Sequence, residues 1–175
     1  MGAAAEYAKY LKRAKTLGAK DAAIIPAGSV RTAGWVRLKC QFGCGGYGAH
    51  LTCPPYSPTP GQTAKVLLEY DTCLLVHGGE WTDIQKIVST LEREVFLDGR
   101  HKAFAMGSGP CGACEQCPAC GQNRRPVCRH PERARPSMEA CGIDVYGTAR
   151  SNGFPIEVLR DTGCEGNYYG LVLIE

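Results

Sequence analysis

The chain has 175 residues, 44% apolar and 21% charged, with a formal net charge of +3. That length and balance suit a globular domain with a buried core and exclude a largely disordered chain. A charge so close to neutral supplies no global field for nucleic acid, and no nucleic-acid partner is expected.

In chain order, Ala4, Tyr7, Leu11, Ala14 and Leu17 fall at helical spacing, with Gly18 as a stop. Ala22–Pro26 is a short apolar run that suits a strand, and Trp35–Lys39 alternates well enough for another. From Gln41 to Gly61 the chain is rich in Gly, Pro, Cys and aromatics and reads as a structured loop. Gln62–Tyr70 predicts a helix and Cys73–His77 a buried strand. Thr82 and Gln85 have the spacing of a capping box. Behind them Ile84, Ile87, Val88, Leu91 and Val95 mark one face of a helix ending near Asp98 and Gly99. Lys102–Met106 predicts a strand, and 107–136 a second loop rich in Cys, Pro and Arg. Asp144–Asn152 predicts a short helix with Gly153 as its C-cap, and Ile156–Leu159 and Tyr169–Ile174 predict strands. The alternation implies a mixed α/β fold, with a partly parallel sheet, right-handed crossovers and flanking helices. Both cysteine loops would leave from strand ends, where sites in such sheets gather. No repeat or linker divides the sequence, so 1–175 is expected to form a single cysteine-rich metal-binding domain.

Eleven cysteines demand an explanation. Disulfides in a secreted protein compete with metal ligation in a reduced compartment. The N-terminal segment carries charges from Glu6 onward and lacks the apolar core and cleavage site of a signal peptide. Glu6 also stands where a myristoylation signal needs Ser or Thr, and no stretch reaches transmembrane length. A cytoplasmic location without membrane contact is expected. The odd cysteine count and the tight C-x-x-C steps favour metal over disulfides. Metal also accounts for a second loop of about thirty residues, unusual in a compact domain, because ligand bonds replace hydrophobic contacts.

The stronger constellation is Cys111, Cys114, Cys117 and Cys120 at successive C-x2-C steps, followed by Cys128. One loop so spaced can wrap a compact object, each thiolate reaching a different corner. Bacterial ferredoxins use a C-x2-C-x2-C core with a later Cys beside proline. Here Pro118 follows Cys117, and Cys128 is the natural distant ligand. A 4Fe–4S cluster therefore fits, with a four-thiolate zinc site as the alternative. Cys120 could replace Cys117 or Cys128, or remain a free thiol. The second constellation is Cys40, Cys44 and Cys53, among Gly43, Gly45, Gly46 and Gly48, which let backbone amides approach sulfur. Three thiolates hold three corners of a cube. The fourth corner is open or filled by Cys141, Cys164, Cys73 or His50, and a zinc site completed by His50 is the rival. Cys73 reads as a buried small hydrophobe, while Cys141 and Cys164 are equally consistent with structural or ligating roles. His77 reads as a hydrogen-bonded residue and His101 as exposed.

Arg124, Arg125, Arg129, Arg133 and Arg135 crowd around Cys128. They form a solvated face, or they favour a reduced anionic cluster and attract an acidic redox partner or a small anionic substrate. GCGGYG lacks the strand–turn–helix setting of a dinucleotide site.

Together, CQFGCGGYGAHLTCPPYSP and GPCGACEQC…CRHPERARPSMEACGIDV resemble the predicted metal-binding proteins, cysteine-rich and of iron–sulfur type, common in anaerobic archaea and bacteria. The resemblance spans about Lys39 to Glu175. It implies that Cys40, Cys44 and Cys53, and Cys111, Cys114, Cys117 and Cys128, are the metal-binding positions, with Cys120 an extra thiol. Three functions remain open: electron transfer by two 4Fe–4S clusters, an enzyme with an open iron at the three-cysteine loop, and a zinc-stabilised binding module.

Overall fold

The computed structural model describes residues 6–120, 126–161 and 163–175. Ala4 of the first predicted helix, and Arg124 and Arg125 of the arginine run, lie outside them. The elements are α1 (Ala8–Thr16), β1 (Asp21–Pro26), α2 (Gly34–Gly43), α3 (Pro60–Leu67), β2 (Thr72–Gly78), α4 (Ile84–Leu97), β3 (Phe104–Met106), α5 (Val145–Ser151) and β4 (Tyr168–Leu173).

The four strands form one sheet in the order β1-β2-β4-β3, and every pairing is antiparallel. The expected parallel pairing is wrong, and the fold is antiparallel α+β. The reason lies in where the long connections return. The segment 27–71 contains two helices, yet Pro26 pairs with Thr72 and the Ala27 N–H donates to the Asp71 carbonyl at 2.9 Å. A chain that comes back to the sheet end it left closes a hairpin, whatever lies in between. The segment between β3 and β4 behaves alike at the other end of the sheet, where Met106 pairs with Leu171.

Alternation along the strands divides the core into two layers. On one face Ala22, Leu74, Val76, Ala105 and Val172 pack against Ala14 of α1 and the apolar stripe of α4. Ile87, Val88, Leu91 and Val95 in that stripe are all buried, each burial contributing about 2 kcal/mol. On the other face Ile25, Cys73, Leu75 and Leu171 meet Met138, Ile143, Phe154 and Ile156 from the second excursion. Strand β2 is covered on both faces, which is why it reads as a continuous apolar run. The first excursion contributes to the layer opposite α1 and α4. The second cysteine loop also reaches α4, where Arg135 pairs with Glu92 and the Gln85 amide donates to the Arg135 carbonyl.

Three local expectations also change. Trp35–Lys39 lies within helix α2, not a strand: only Val36 of that helix is buried, while Leu38 and Phe42 are 58% and 78% exposed. A helix with so little of its face in the core shows no 3.6-residue apolar period to read. The α4 cap is Asp83, whose carboxylate accepts from the Lys86 N–H, while Thr82 accepts from the Gly79 N–H. The true capping box is Thr59 with Gln62, ahead of α3 with Pro60 in its first turn. Ile156–Leu159 forms no strand: the Arg150 guanidinium holds the Ile156 carbonyl, and Val158 and Leu159 face outward.

Candidate metal centre

Helix α2 carries Cys40 in its last turn, and Cys44 stands at its C-cap. Arg37, one turn before Cys40, fixes this helix end. Its Nη1 donates to the Ser57 hydroxyl and to the Pro58 and Ala140 carbonyls at 3.0–3.2 Å, and Nη2 donates to the Ser57 carbonyl. The Ser57 hydroxyl donates to the Ala140 carbonyl at 2.6 Å, and the Thr63 hydroxyl to the Cys141 carbonyl at 2.6 Å. One cation with four neutral acceptors thus ties α2, the exit of the first loop and segment 140–141 together. The Cys40 thiol in turn donates to the Glu139 carbonyl at 3.8 Å.

Cys40, Cys44 and Cys53 line one cavity of about 570 Å³. Gly46 sits between two of them: a side chain there would stand 3.4 Å from the Cys53 sulfur and 3.5 Å from that of Cys44. Its own N–H points at the Cys44 sulfur, 3.4 Å away. Burial first, then the neighbouring Cys44, Cys40 and Cys111 thiols, push the Cys53 thiol up to about 11. Burial and Cys44 raise Cys40 likewise. Thiols that hinder one another's ionisation ionise together once a cation arrives between them.

Cys111, Cys114, Cys117 and Cys128 line a second, narrow cavity of about 20 Å³, together with Leu51 and Thr52 of the first loop. The Leu51 N–H donates to the Cys117 sulfur and the His130 N–H to the Cys128 sulfur, each at 3.4 Å. The two thiol groups are thus neighbours, joined through 51–53. Cys120 stands apart, exposed, with its thiol donating to the Ala49 carbonyl at 3.2 Å. Among the described residues, no three Cys, His, Asp or Glu side chains stand as they would around a single metal ion.

The other thiols are elsewhere. Cys73 and Cys141 are buried in the apolar layer, and burial pushes both up to about 12. Cys164 is exposed, its thiol against the Asp161 carboxylate. None of the three lines either cavity. His77 hydrogen-bonds Asn167 and stacks on Tyr169. Arg135 is no part of a free cationic face: it forms a bidentate pair with Glu92 at 2.6 Å, both side chains under 20% exposed.

One residue that sequence reasoning passed over is Glu139. It lines the larger cavity, and its Oε2 is shut off from water without a hydrogen-bond partner. Burial raises its carboxyl, opposed by its own amide and the Ser137 hydroxyl. Its signal was a lone acid set between Met138 and Ala140-Cys141.

An antiparallel α+β scaffold carrying two adjoining groups of thiols defines a cysteine-rich protein of metal-binding type. Residues 23–174 match the profile of a family described as predicted metal-binding protein (DUF2284), and the chain belongs to that family. Neither curated proteins nor solved structures give a match. No helix among the described residues is long and apolar enough to cross a membrane.

Proposed function

We propose that the chain binds two 4Fe–4S clusters and transfers electrons, with Cys111, Cys114, Cys117 and Cys128 holding one and Cys40, Cys44 and Cys53 the other. The observation that carries this reading is the grouping itself: seven thiols gather in two adjoining sets, four on one cavity and three on the other. A tetrahedral ion needs its thiolates at one centre, about 2.3 Å from it. A cube needs each thiolate at a separate corner. The donor set also fits, since soft thiolates suit iron–sulfur centres. When bound, such a centre accepts and releases single electrons. The chain's own contribution is to hold it and to set its potential through the N–H groups of Gly46, Leu51 and His130 aimed at sulfur.

The contact between the Leu51 N–H and the Cys117 sulfur makes the two centres neighbours, as an internal electron relay requires. Arg129 and Arg133 remain available to steer an acidic redox partner, whereas Arg135 is taken by Glu92. A second reading concerns the first loop: three thiols lining a roomy cavity leave one iron corner without a thiolate, which suits an enzyme that activates a small substrate. The narrowness of the second cavity is the observation that favours the zinc rival.

Anaerobic purification separates these readings. A brown protein with about eight irons and eight labile sulfides supports two clusters. A colourless protein with zinc and no sulfide rejects them. Perturbation of the reduced protein's EPR spectrum by a small added ligand identifies the open iron. An unchanged spectrum assigns both clusters to electron transfer.

A further inference from the structure

The cavity at the first-loop thiols is larger than a metal centre needs. A 4Fe–4S cube has eight atoms, whereas cavities of about 570 Å³ hold organic ligands of many more. Much of the lining also comes from segments that carry no ligating thiol: Val145 and Tyr146 of α5, Ile156 and Leu159 beyond it, and Tyr168 and Tyr169 of β4. The composition of that lining is particular. Four of the chain's eight tyrosines (Tyr47, Tyr146, Tyr168 and Tyr169) and one of its two tryptophans, Trp35, stand on it. These five rings arrive from α2, the first loop, α5 and β4, so no local run of sequence accounts for their meeting. Trp35, Tyr47 and Tyr168 keep 48%, 37% and 38% of their surface exposed. Tyr169 is buried and already packs ring on ring, stacked on His77 at 4.9 Å and edge-on to Phe154 at 6.0 Å.

Charge narrows the occupant further. Lys39 and Glu157 on the lining are both exposed, and Glu157 is already paired with Arg150 at 3.2 Å. The unpartnered Glu139 oxygen is shut off from water, so it offers an entering molecule no contact. A free carboxylate would lose its hydration beside Cys40, Cys44 and Cys53, which turn to thiolates when metal binds. An ammonium group would lose its own without a free acid to receive it. What the wall offers is apolar surface together with the faces and edges of rings, which favour a flat ring over a saturated body of equal size. We propose that this cavity binds an uncharged aromatic molecule, its ring packed among Trp35, Tyr47 and Tyr168 and its remainder over Val36, Val145 and Ile156. The site itself stands on shape and lining. Only its role as a substrate site rests on the open-corner reading of the first loop.

Four probes of similar size test it by calorimetry on anaerobically prepared protein: 2-phenylethanol, 2-cyclohexylethanol, 3-phenylpropionate and 2-phenylethylamine. The saturated ring is the more hydrophobic of the two alcohols, so a cavity without ring contacts binds it better. Here 2-phenylethanol is expected to bind about three- to tenfold more tightly than 2-cyclohexylethanol, the margin that ring–ring contacts give. The two charged probes should bind about tenfold or more weakly than 2-phenylethanol. Trp35→Leu and Tyr168→Leu, both at partly exposed positions, each keep apolar bulk while removing a ring. Each should bring 2-phenylethanol toward the level of 2-cyclohexylethanol and leave the latter within about twofold. Equal or tighter binding of the saturated alcohol, a charged probe that matches 2-phenylethanol, no binding of any probe, or a ring preference that survives both substitutions overturns the proposal. Iron and sulfide measured on the same samples keep the two readings apart. A missing ring preference with full iron content removes this inference alone, whereas a ring preference in protein without iron and sulfide removes the cluster alone.

Discussion

The two thiol-bearing loops differ in what holds them. The first is fastened by ordinary protein contacts: Arg37 binds Ser57, Pro58 and Ala140, and Cys44 and Cys53 pack around Gly46. The second is anchored near its end by the Arg135–Glu92 pair and by Gln85 on the Arg135 carbonyl. It touches the first loop at Leu51 and Ala49 and otherwise coils around its own four thiols. The first opens onto a cavity of about 570 Å³, the second closes to about 20 Å³. A centre that only passes electrons needs shielding and short distances. One that meets a substrate needs room. On the two-cluster proposal, this contrast would give holding to the second loop and access to the first.

Removing one ligand from each loop is the harshest way to break that contrast. Cys114→Ala should lower iron from about eight to about four per chain and open 107–136 to protease, because on the proposed assignment ligand bonds order that loop. Cys40→Ala should lose the same share of iron while 41–61 stays resistant, since the Arg37 contacts remain. Equal protease sensitivity in both variants would erase the distinction. Next in size is Glu92→Ala, which strands the Arg135 guanidinium and the Ala105 N–H that Glu92 also accepts. It should cost about 3 kcal/mol in denaturant unfolding, as loss of one partner from a largely buried pair does.

Smaller effects sharpen the boundary of the sites. Cys120→Ser should leave iron and sulfide unchanged, because that thiol points to the Ala49 carbonyl outside the narrow cavity. Alkylation of the folded protein at pH 8 should modify Cys164 quickly and spare Cys73 and Cys141. Burial pushes the latter two up to about 12, so their reactive thiolate forms only well above that pH or after unfolding. Mass spectrometry of the labelled peptides reads both outcomes.

Much of the scaffold was legible because its elements obey one periodicity each. Ile84, Ile87, Val88, Leu91 and Val95 announced α4, and Cys73–His77 announced a buried strand, which the fold places inside the sheet with both faces covered. Sheet direction was not legible, since nothing local in 27–71 shows that Asp71 returns to Ala27. Helix α2 stayed hidden because its outer residues, Leu38 and Phe42, have no core to face. At the site, C-x2-C spacing left the place of Cys120 open; in the fold Cys111, Cys114, Cys117 and Cys128 line one cavity and Cys120 lies outside it. The nearness of Cys111 to Cys53 and of Leu51 to Cys117 could not be read, because those contacts join excursions from opposite ends of the sheet. Glu139 escaped for the same reason: what makes it distinctive is a cavity built from distant segments.

The most direct test is acid-labile sulfide and metal content of protein prepared without exposure to air. Two bound clusters give about eight sulfides and eight irons per chain, falling by half in either single-ligand variant. A folded, colourless protein carrying zinc and no sulfide would contradict it.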